Sequence, residues 1–237
     1  SRVGDGTFVP FFPGARSDGR EDGGVRGFAL GLENGALAGK LMEAAGSVER
    51  LEKVLREGMT EALLPVVQIC SEEAKKCNCK FLGVDPSLNP SLLREGSVGA
   101  AFERLSEIRT FGSFGSLAAA AAATSALRSL PIPLVGYKGL MLPVLEDVRL
   151  AEIVPEKMSL QSILSISSVC GVGIDTVPLS GEVSVEQLTA LMLDVAALAH
   201  RYEKPLSCRT FPCPGKIAGD KTDFDSPHLC IGTVCGL

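Results

Sequence analysis

Residues 159–181, SLQSILSISSVCGVGIDTVPLSG, decide the fold of this chain. The stretch begins with the apolar spacing of a helix, reaches Cys170, breaks at Gly171 and Gly173, and continues as an extended segment that contains Asp175. Because glycine lets backbone or a ligand approach closely, the pattern predicts a thiol at a helix end beside an open stretch of backbone. This arrangement indicates a chemical site, although the residues do not name the reaction.

Segments of two kinds alternate on both sides of this stretch. Short apolar runs predict strands at 27–32, 80–85, 134–142 and 206–211, and helices are predicted to begin near residues 47, 97, 116, 146 and 184. Strands that alternate with helices are typical of an α/β fold with mainly parallel pairing. We therefore predict a single α/β domain over residues 1–237, with a core of substantial size.

The composition of the chain argues against nucleic acid and membranes as partners. The net charge of −5 argues against binding to nucleic acid or to an anionic membrane, since both need clustered Lys and Arg. No apolar run approaches the roughly 18 residues of a membrane helix. The first residues lack the charged and apolar regions of a signal peptide, so we expect a cytoplasmic protein whose eight cysteines are reduced.

Cys170 has two interpretations. Most cysteines are small, buried and inert, whereas the flanking glycines of this one favour a functional thiol. A helix C-terminus is the negative end of the helix dipole, and it would raise the pKa of a thiol placed there. The sequence leaves both interpretations open.

A set of carboxylates is the second candidate, and its members follow predicted strands or begin helices: Asp85, Glu146, Asp147, Asp175 and Asp220. Ligands of parallel α/β folds collect at the carboxyl ends of the strands. The set could hold a divalent cation such as Mg²⁺ or Ca²⁺, or share a proton. The alternative is that each member caps a turn or the start of a helix.

The C-terminal loop carries two weaker patterns. Lys216 lies between Gly215 and Gly219 and could cradle an anion, but the spacing is not that of a P-loop. The remaining pattern is made of cysteines at 208, 213, 230 and 235 with His228. Its spacings lack the paired C-x2-C of structural zinc sites, so we consider zinc unlikely and leave the metal unknown.

Several segments resemble the DUF711 (UPF0210) family of uncharacterised proteins. The segments that carry the resemblance are GVDPSLNP (83–90), EGSVGAAFE (95–103), FGSFGSLAAAAAAT (111–124), GYKGLMLPVLED (136–147), SVCGVGIDTVPLSG (168–181) and KPLSCRTFPCPGKIAGD (204–220). The resemblance covers most of the chain. Because members of this family are about twice as long, it implies that the chain is a C-terminal half, with an N-terminal half missing or carried elsewhere.

The resemblance also implies a barrel. The expected fold is similar to that of glycyl-radical enzymes of the pyruvate formate-lyase type, with a mainly parallel, barrel-like sheet surrounded by helices. A finger loop near 165–178 would enter the barrel and carry Cys170, with Gly171 and Gly173 deeply buried. The glycyl-radical motif itself is absent, because Pro133 stands where the motif needs arginine, so we predict no radical chemistry. Fold similarity alone does not transfer a function.

Three functional hypotheses remain. The first is an enzyme that acts on a small anionic or carbonyl-containing metabolite, the second a ligand-binding or regulatory protein without turnover, and the third one structural half of a larger assembly. For the enzyme, Cys170 would be the nucleophile or redox group, and Asp175 and Asp85 the acid–base groups or metal ligands. The predicted ligand-binding residues are Gly171, Gly173, Glu146, Asp147, Arg209, Lys216 and Asp220. We expect the carboxylates to converge on one cleft with Cys170, and the chain to need its N-terminal half or a homo-oligomeric partner.

Overall fold

The computed structural model describes residues 27–237, which fold into a mixture of helices and short parallel strands. In chain order the elements are β1 (Gly27–Gly31), α1 (Gly35–Ala45), α2 (Val48–Lys76), β2 (Lys80–Asp85), a 3-10 turn (Arg94–Gly96), α3 (Val98–Phe102), α4 (Ser116–Arg128), α5 (Val148–Ile153), α6 (Leu160–Val169), β3 (Gly173–Ser180), α7 (Val185–Arg201) and β4 (Ser207–Cys213). The predicted α/β class is confirmed. Among the described helices, none is both long and apolar enough to cross a membrane.

The strands form two separate pairs. β1 lies parallel to β2, and β3 lies parallel to β4. Residues 133–144 connect the two pairs through single bridges. Leu134 bridges to β2, Leu140 bridges to Leu88, and Pro143 bridges to β3. Within residues 27–237 no closed barrel forms, because the two two-stranded sheets are joined there only by isolated bridges.

Proline and turn geometry explain why residues 133–144 do not form a regular strand. Pro133 and Pro143 have no N–H to donate to a ladder. Between them Gly136 and Lys138 take positive φ values of 72° and 53°, which turns the chain out of an extended conformation. The sheet therefore cannot continue through this segment.

Helices α2 and α4 make a large part of the core. α2 buries one face at helical spacing through Leu51, Leu55 and Met59, all fully buried. It packs against α4, whose alanines at 119, 120 and 123 are fully buried and allow close approach of the two helices. Pro65 lies within α2 and does not end it.

The stretch around Cys170 is a helix, a short connection and a strand. Residues 165–178 are therefore not the predicted finger loop: the helical pattern persists to Val169, and β3 begins at Gly173. The predicted burial is confirmed, since every residue from 170 to 179 is buried. Gly173 has a φ of 98°, and a Cβ there would lie 2.3 Å from the Ser207 carbonyl oxygen, so only glycine lets β3 and β4 meet here.

Candidate functional site

A cavity of about 370 Å³ lies beside the turn at residues 136–139. Its described lining is Arg128, Gly136, Tyr137, Lys138, Gly139, Gly171, Glu203, Lys204 and Pro205. Two of the cations come from helix C-termini, since Arg128 is the last residue of α4 and Lys204 follows α7. Cations are favoured at this negative end of a helix. The volume is within the range of small-molecule sites, roughly 300–1,000 Å³.

Asp85 holds the turn in place. Its Oδ1 accepts hydrogen bonds from the Ser87 hydroxyl at 2.6 Å and from the Lys138 N–H at 3.1 Å. Its Oδ2 accepts from the Tyr137 N–H at 2.9 Å. A Cβ on Gly136 would lie only 2.0 Å from that oxygen, so glycine is required here. These contacts fit the turn-capping alternative for Asp85, and its acid–base role stays a prediction.

Cys170 lies next to the cavity wall with its thiol buried. Its Sγ accepts a hydrogen bond from the Leu140 N–H at 2.8 Å, and the side chain is 1% exposed. Burial raises the pKa of the Cys170 thiol, opposed by hydrogen bonding to Thr124 and by the Lys204 charge. A Cβ on Gly139 would lie 3.1 Å from Sγ. The site thus favours a neutral thiol over an activated thiolate.

Lys204 is a partly buried cation of the cavity. Its ammonium group donates a hydrogen bond to the Ser167 carbonyl oxygen. Burial lowers the pKa of Lys204 to about 8; the Arg128 charge acts in the same direction, and Cys170 acts against it. An appreciable fraction of this amine is therefore neutral near physiological pH.

A second cluster joins two acids through one arginine. The Arg209 Nε lies 2.5 Å from Asp175 Oδ1, and its Nη2 lies 3.0 Å from Glu146 Oε1. Asp175 is fully buried, and its Oδ2 has no hydrogen-bond partner within the described part of the chain. Burial raises the pKa of Asp175, and the hydrogen bond and charge of Arg209 oppose the shift. Burial likewise raises the pKa of Glu146.

Tyr137 connects this cluster with the cavity that it lines. Burial raises the pKa of Tyr137 to about 12, with further contributions from the charges of Asp175 and Asp85. A phenol whose pKa responds to both carboxylates lies in the electric field of both. Tyr137 therefore lines the cavity and lies within electrostatic range of both carboxylates.

The backbone beside Asp175 is strained. Thr176 has a φ of 43° although it is β-branched, and the β3–β4 register shifts between Ile174 and Val177. Its hydroxyl accepts a hydrogen bond from the Leu145 N–H at 3.2 Å. Bulges change the direction of nearby side chains, and strain of this kind clusters at functional sites.

Asp147 lies elsewhere, at the starts of two helices. Its Oδ1 accepts from the Ser97 hydroxyl at 2.5 Å and the Leu150 N–H at 3.1 Å, and its Oδ2 accepts from the Val98 N–H at 2.7 Å and the Gly99 N–H at 3.2 Å. Burial raises the pKa of Asp147, opposed by these bonds. These contacts match the helix-capping alternative.

The candidates in the C-terminal loop bond within that loop. Lys216 pairs with Asp223 at 3.0 Å, and Asp220 accepts from the Ile217 N–H at 2.9 Å. Direct contacts thus bring together Asp175, Glu146 and Arg209 from the predicted set, while Gly171 lines the cavity beside Cys170.

A metal site needs several ligand side chains close together. Among residues 27–237, no group of three or more His, Cys, Asp or Glu side chains is arranged to hold an ion. The eight cysteines are free thiols.

Three cations of the cavity were not predicted from the sequence: Arg128, Lys138 and Lys204. Each is an ordinary cation after a helix or in a turn, and such residues are usually solvated. The signal that could have found them is the pair of helix C-termini together with the glycine-flanked Tyr137–Lys138.

Comparison with known proteins gives a consistent result. The family model described as Uncharacterised ACR (DUF711) matches residues 6–225. A UPF0210 protein of Pyrobaculum aerophilum is 29% identical over 233 residues, covering 91% of this chain and 49% of the relative. A UPF0210 protein of Syntrophobacter fumaroxidans is 33% identical over 156 residues, covering 64% of this chain and 34% of the relative. The chain spans about half the length of the first of these relatives and a third of the second.

Proposed function

The chain belongs to the DUF711 family of uncharacterised proteins, and we propose that it binds a small anionic metabolite in the cavity beside Cys170. One observation carries the proposal: three cationic side chains meet at a cavity whose described lining holds one carboxylate, Glu203. The chain as a whole has a net charge of −5, so this local excess of positive charge opposes the overall balance. A concave surface of one charge concentrates ligands of the opposite charge.

The backbone of the cavity supports binding of a compact ligand. Gly136, Gly139 and Gly171 all line it, and glycine exposes main-chain groups without a side chain in the way. Arg128 and Lys138 supply the charge that would hold a carboxylate or phosphate. Because the volume is about 370 Å³, the ligand has the size of a central metabolite rather than of a large cofactor.

The test is isothermal titration calorimetry of the 237-residue chain with inorganic phosphate, acetate and pyruvate as probes. Arg128→Ala and Lys138→Ala should each weaken binding by about tenfold, since a hydrogen bond to a charged group contributes roughly 1.5–3 kcal/mol. Lys53→Ala is the matched control, because Lys53 is exposed on α2, outside the cavity lining. Equal weakening by the control, or no binding of any probe at millimolar concentration, would remove the proposal.

Acid–base chemistry at Asp175 is the second candidate function. The observation that favours it is the unpartnered Oδ2 of a fully buried carboxylate whose other oxygen is held by Arg209. A group of this kind can gain or lose a proton when its surroundings change. Proton uptake on ligand binding, measured as a difference in binding heat between two buffers of unlike ionisation enthalpy, should vanish in Asp175→Asn. A difference that persists unchanged in the variant would assign the proton to another group.

Other predictions about the whole protein stay proposals. They are the nucleophilic or redox role of Cys170, the barrel similar to that of glycyl-radical enzymes, and the need for an N-terminal half or a second copy. The chain spans about half the length of the Pyrobaculum aerophilum relative.

A further inference from the structure

Lys204 occupies an unusual place for a lysine. Its ammonium group is not directed into bulk solvent but bonded to the Ser167 carbonyl oxygen near the end of α6, and the residue lines the cavity. Its stem is therefore fixed, and its nitrogen has a defined position beside the space that a ligand would fill. Most lysine side chains on a protein surface have no such restraint.

The groups around the amine favour its neutral form. Burial has the largest effect on its pKa, the Arg128 guanidinium repels a second positive charge, and the buried Cys170 acts in the opposite direction. The acid in the described lining is Glu203, and a third cation is Lys138. Desolvation together with a neighbouring cation is the arrangement that activates lysine amines as nucleophiles.

We propose that Lys204 forms an imine with the carbonyl carbon of a small oxo-carboxylic acid bound in the cavity. The inference rests on the proposed function, because Arg128 or Lys138 must hold the ligand carboxylate for the carbonyl group to reach the amine. An oxo acid carries the two groups that these side chains would bind: a carboxylate for the Arg128 guanidinium and an electrophilic carbonyl carbon for the Lys204 amine.

The step balances without an oxidant or reductant. The neutral Lys204 nitrogen forms a bond to the carbonyl carbon, and the carbonyl π electrons move to oxygen, which takes up a proton. The hydroxyl group of the resulting carbinolamine takes up a second proton, the one that the Lys204 ammonium gave up before the attack, and leaves as water while the nitrogen lone pair forms the C=N bond. The net change is lysine ammonium plus ketone giving protonated imine plus one water. Glu203 lines the same space and can carry the proton between nitrogen and oxygen.

The experiment is reductive trapping of the 237-residue chain with pyruvate and cyanoborohydride, followed by peptide mapping. Lys204 should be modified at least about tenfold faster at neutral pH than Lys40 and Lys53, because burial and the Arg128 charge lower the pKa of Lys204 and so leave more of its amine neutral. Both comparison lysines are exposed and belong to the same sample. Modification of Lys204 at or below their rate would overturn the inference.

Two further arms separate this inference from the proposed function. Lys204→Arg keeps the positive charge, so it should still bind acetate and phosphate but give no fast trapping; Lys53→Arg, at an exposed position outside the cavity lining, should keep both. Anion binding by the wild-type chain without selective trapping refutes the imine and leaves the proposed function standing. Absence of anion binding and of trapping refutes both. If Lys204→Arg fails to fold, the comparison of lysines within the wild-type chain decides.

Discussion

Removal of Arg209 should expose the cost of burying Asp175. The two side chains meet at 2.5 Å, with Asp175 fully buried and Arg209 39% exposed. Loss of one partner of a buried ion pair costs roughly 3–5 kcal/mol. Water already screens the arginine side, so we expect Arg209→Met to lower the free energy of unfolding at pH 7 by about 2–3 kcal/mol.

The effect should depend on pH with a defined sign. The folded-state pKa of Asp175 lies above its usual value of 3.8, so the folded protein binds the proton more tightly. The contribution of this group is therefore most favourable below its unfolded pKa and is lost as the pH rises through the folded pKa. Arg209 opposes the shift, so the variant should raise the pKa further, and its penalty should be larger at pH 8 than at pH 5.

Urea denaturation followed by circular dichroism measures these free energies. In the Asp175→Asn background, Arg209→Met should cost less than about 1 kcal/mol, because the carboxylate that then loses this partner is the partly exposed Glu146 and not the fully buried Asp175. Glu146→Gln is the matched control: it breaks the more exposed 3.0 Å contact of the same arginine, and it should cost less than about 1 kcal/mol. A penalty for Arg209→Met that is the same at both pH values and in both backgrounds would refute the reasoning.

Three further outcomes are expected. Thr176→Val keeps the strained φ of 43° but loses the acceptor for the Leu145 N–H, so it should destabilise the fold by about 1–3 kcal/mol. Thr176→Gly should stay within about 1 kcal/mol of the wild type, because relief of the backbone strain offsets the lost hydrogen bond. Urea denaturation midpoints distinguish the two variants. Iodoacetamide should alkylate Cys170 at least about tenfold more slowly at pH 7.5 than the exposed Cys77, and equal rates by mass spectrometry would contradict a buried neutral thiol. Asp147→Asn should lower the stability by about 1–3 kcal/mol, because its amide NH₂ would face main-chain donors at two helix starts, and an unchanged thermal midpoint would argue against the double cap.

Local patterns predicted much of the secondary structure. β2 occupies the predicted residues 80–85, and α7 begins after its predicted cap Ser184, which accepts from the Gln187 N–H at 3.2 Å. These features depend on neighbours within a few residues, so the sequence holds the whole signal. The division into two two-stranded sheets was not predicted, because the strand pairing of residues 133–144 depends on contacts distant in sequence.

The residues of the candidate site were likewise predictable only in part. Asp175 and Arg209 were both predicted, yet their contact joins residues 34 apart, and only the parallel pairing of β3 with β4 brings them together. Lys204 was missed because its chemistry depends on burial and on Arg128, neither of which leaves a trace in the local sequence. The identity of a polar residue is visible in the sequence, but its exposure and partners are properties of the fold.

The turn at 136–139 couples the cavity to the buried acid. Asp85 accepts the N–H groups of Tyr137 and Lys138, and Ser87 accepts the next N–H at 3.2 Å, so three successive amides are tied to one strand end. A segment held in this way moves as one unit. A ligand that displaces Lys138 must therefore also displace Tyr137, whose phenol lies in the electric field of Asp175. A ligand that displaced this turn would therefore change the surroundings of Asp175 without direct contact with that acid.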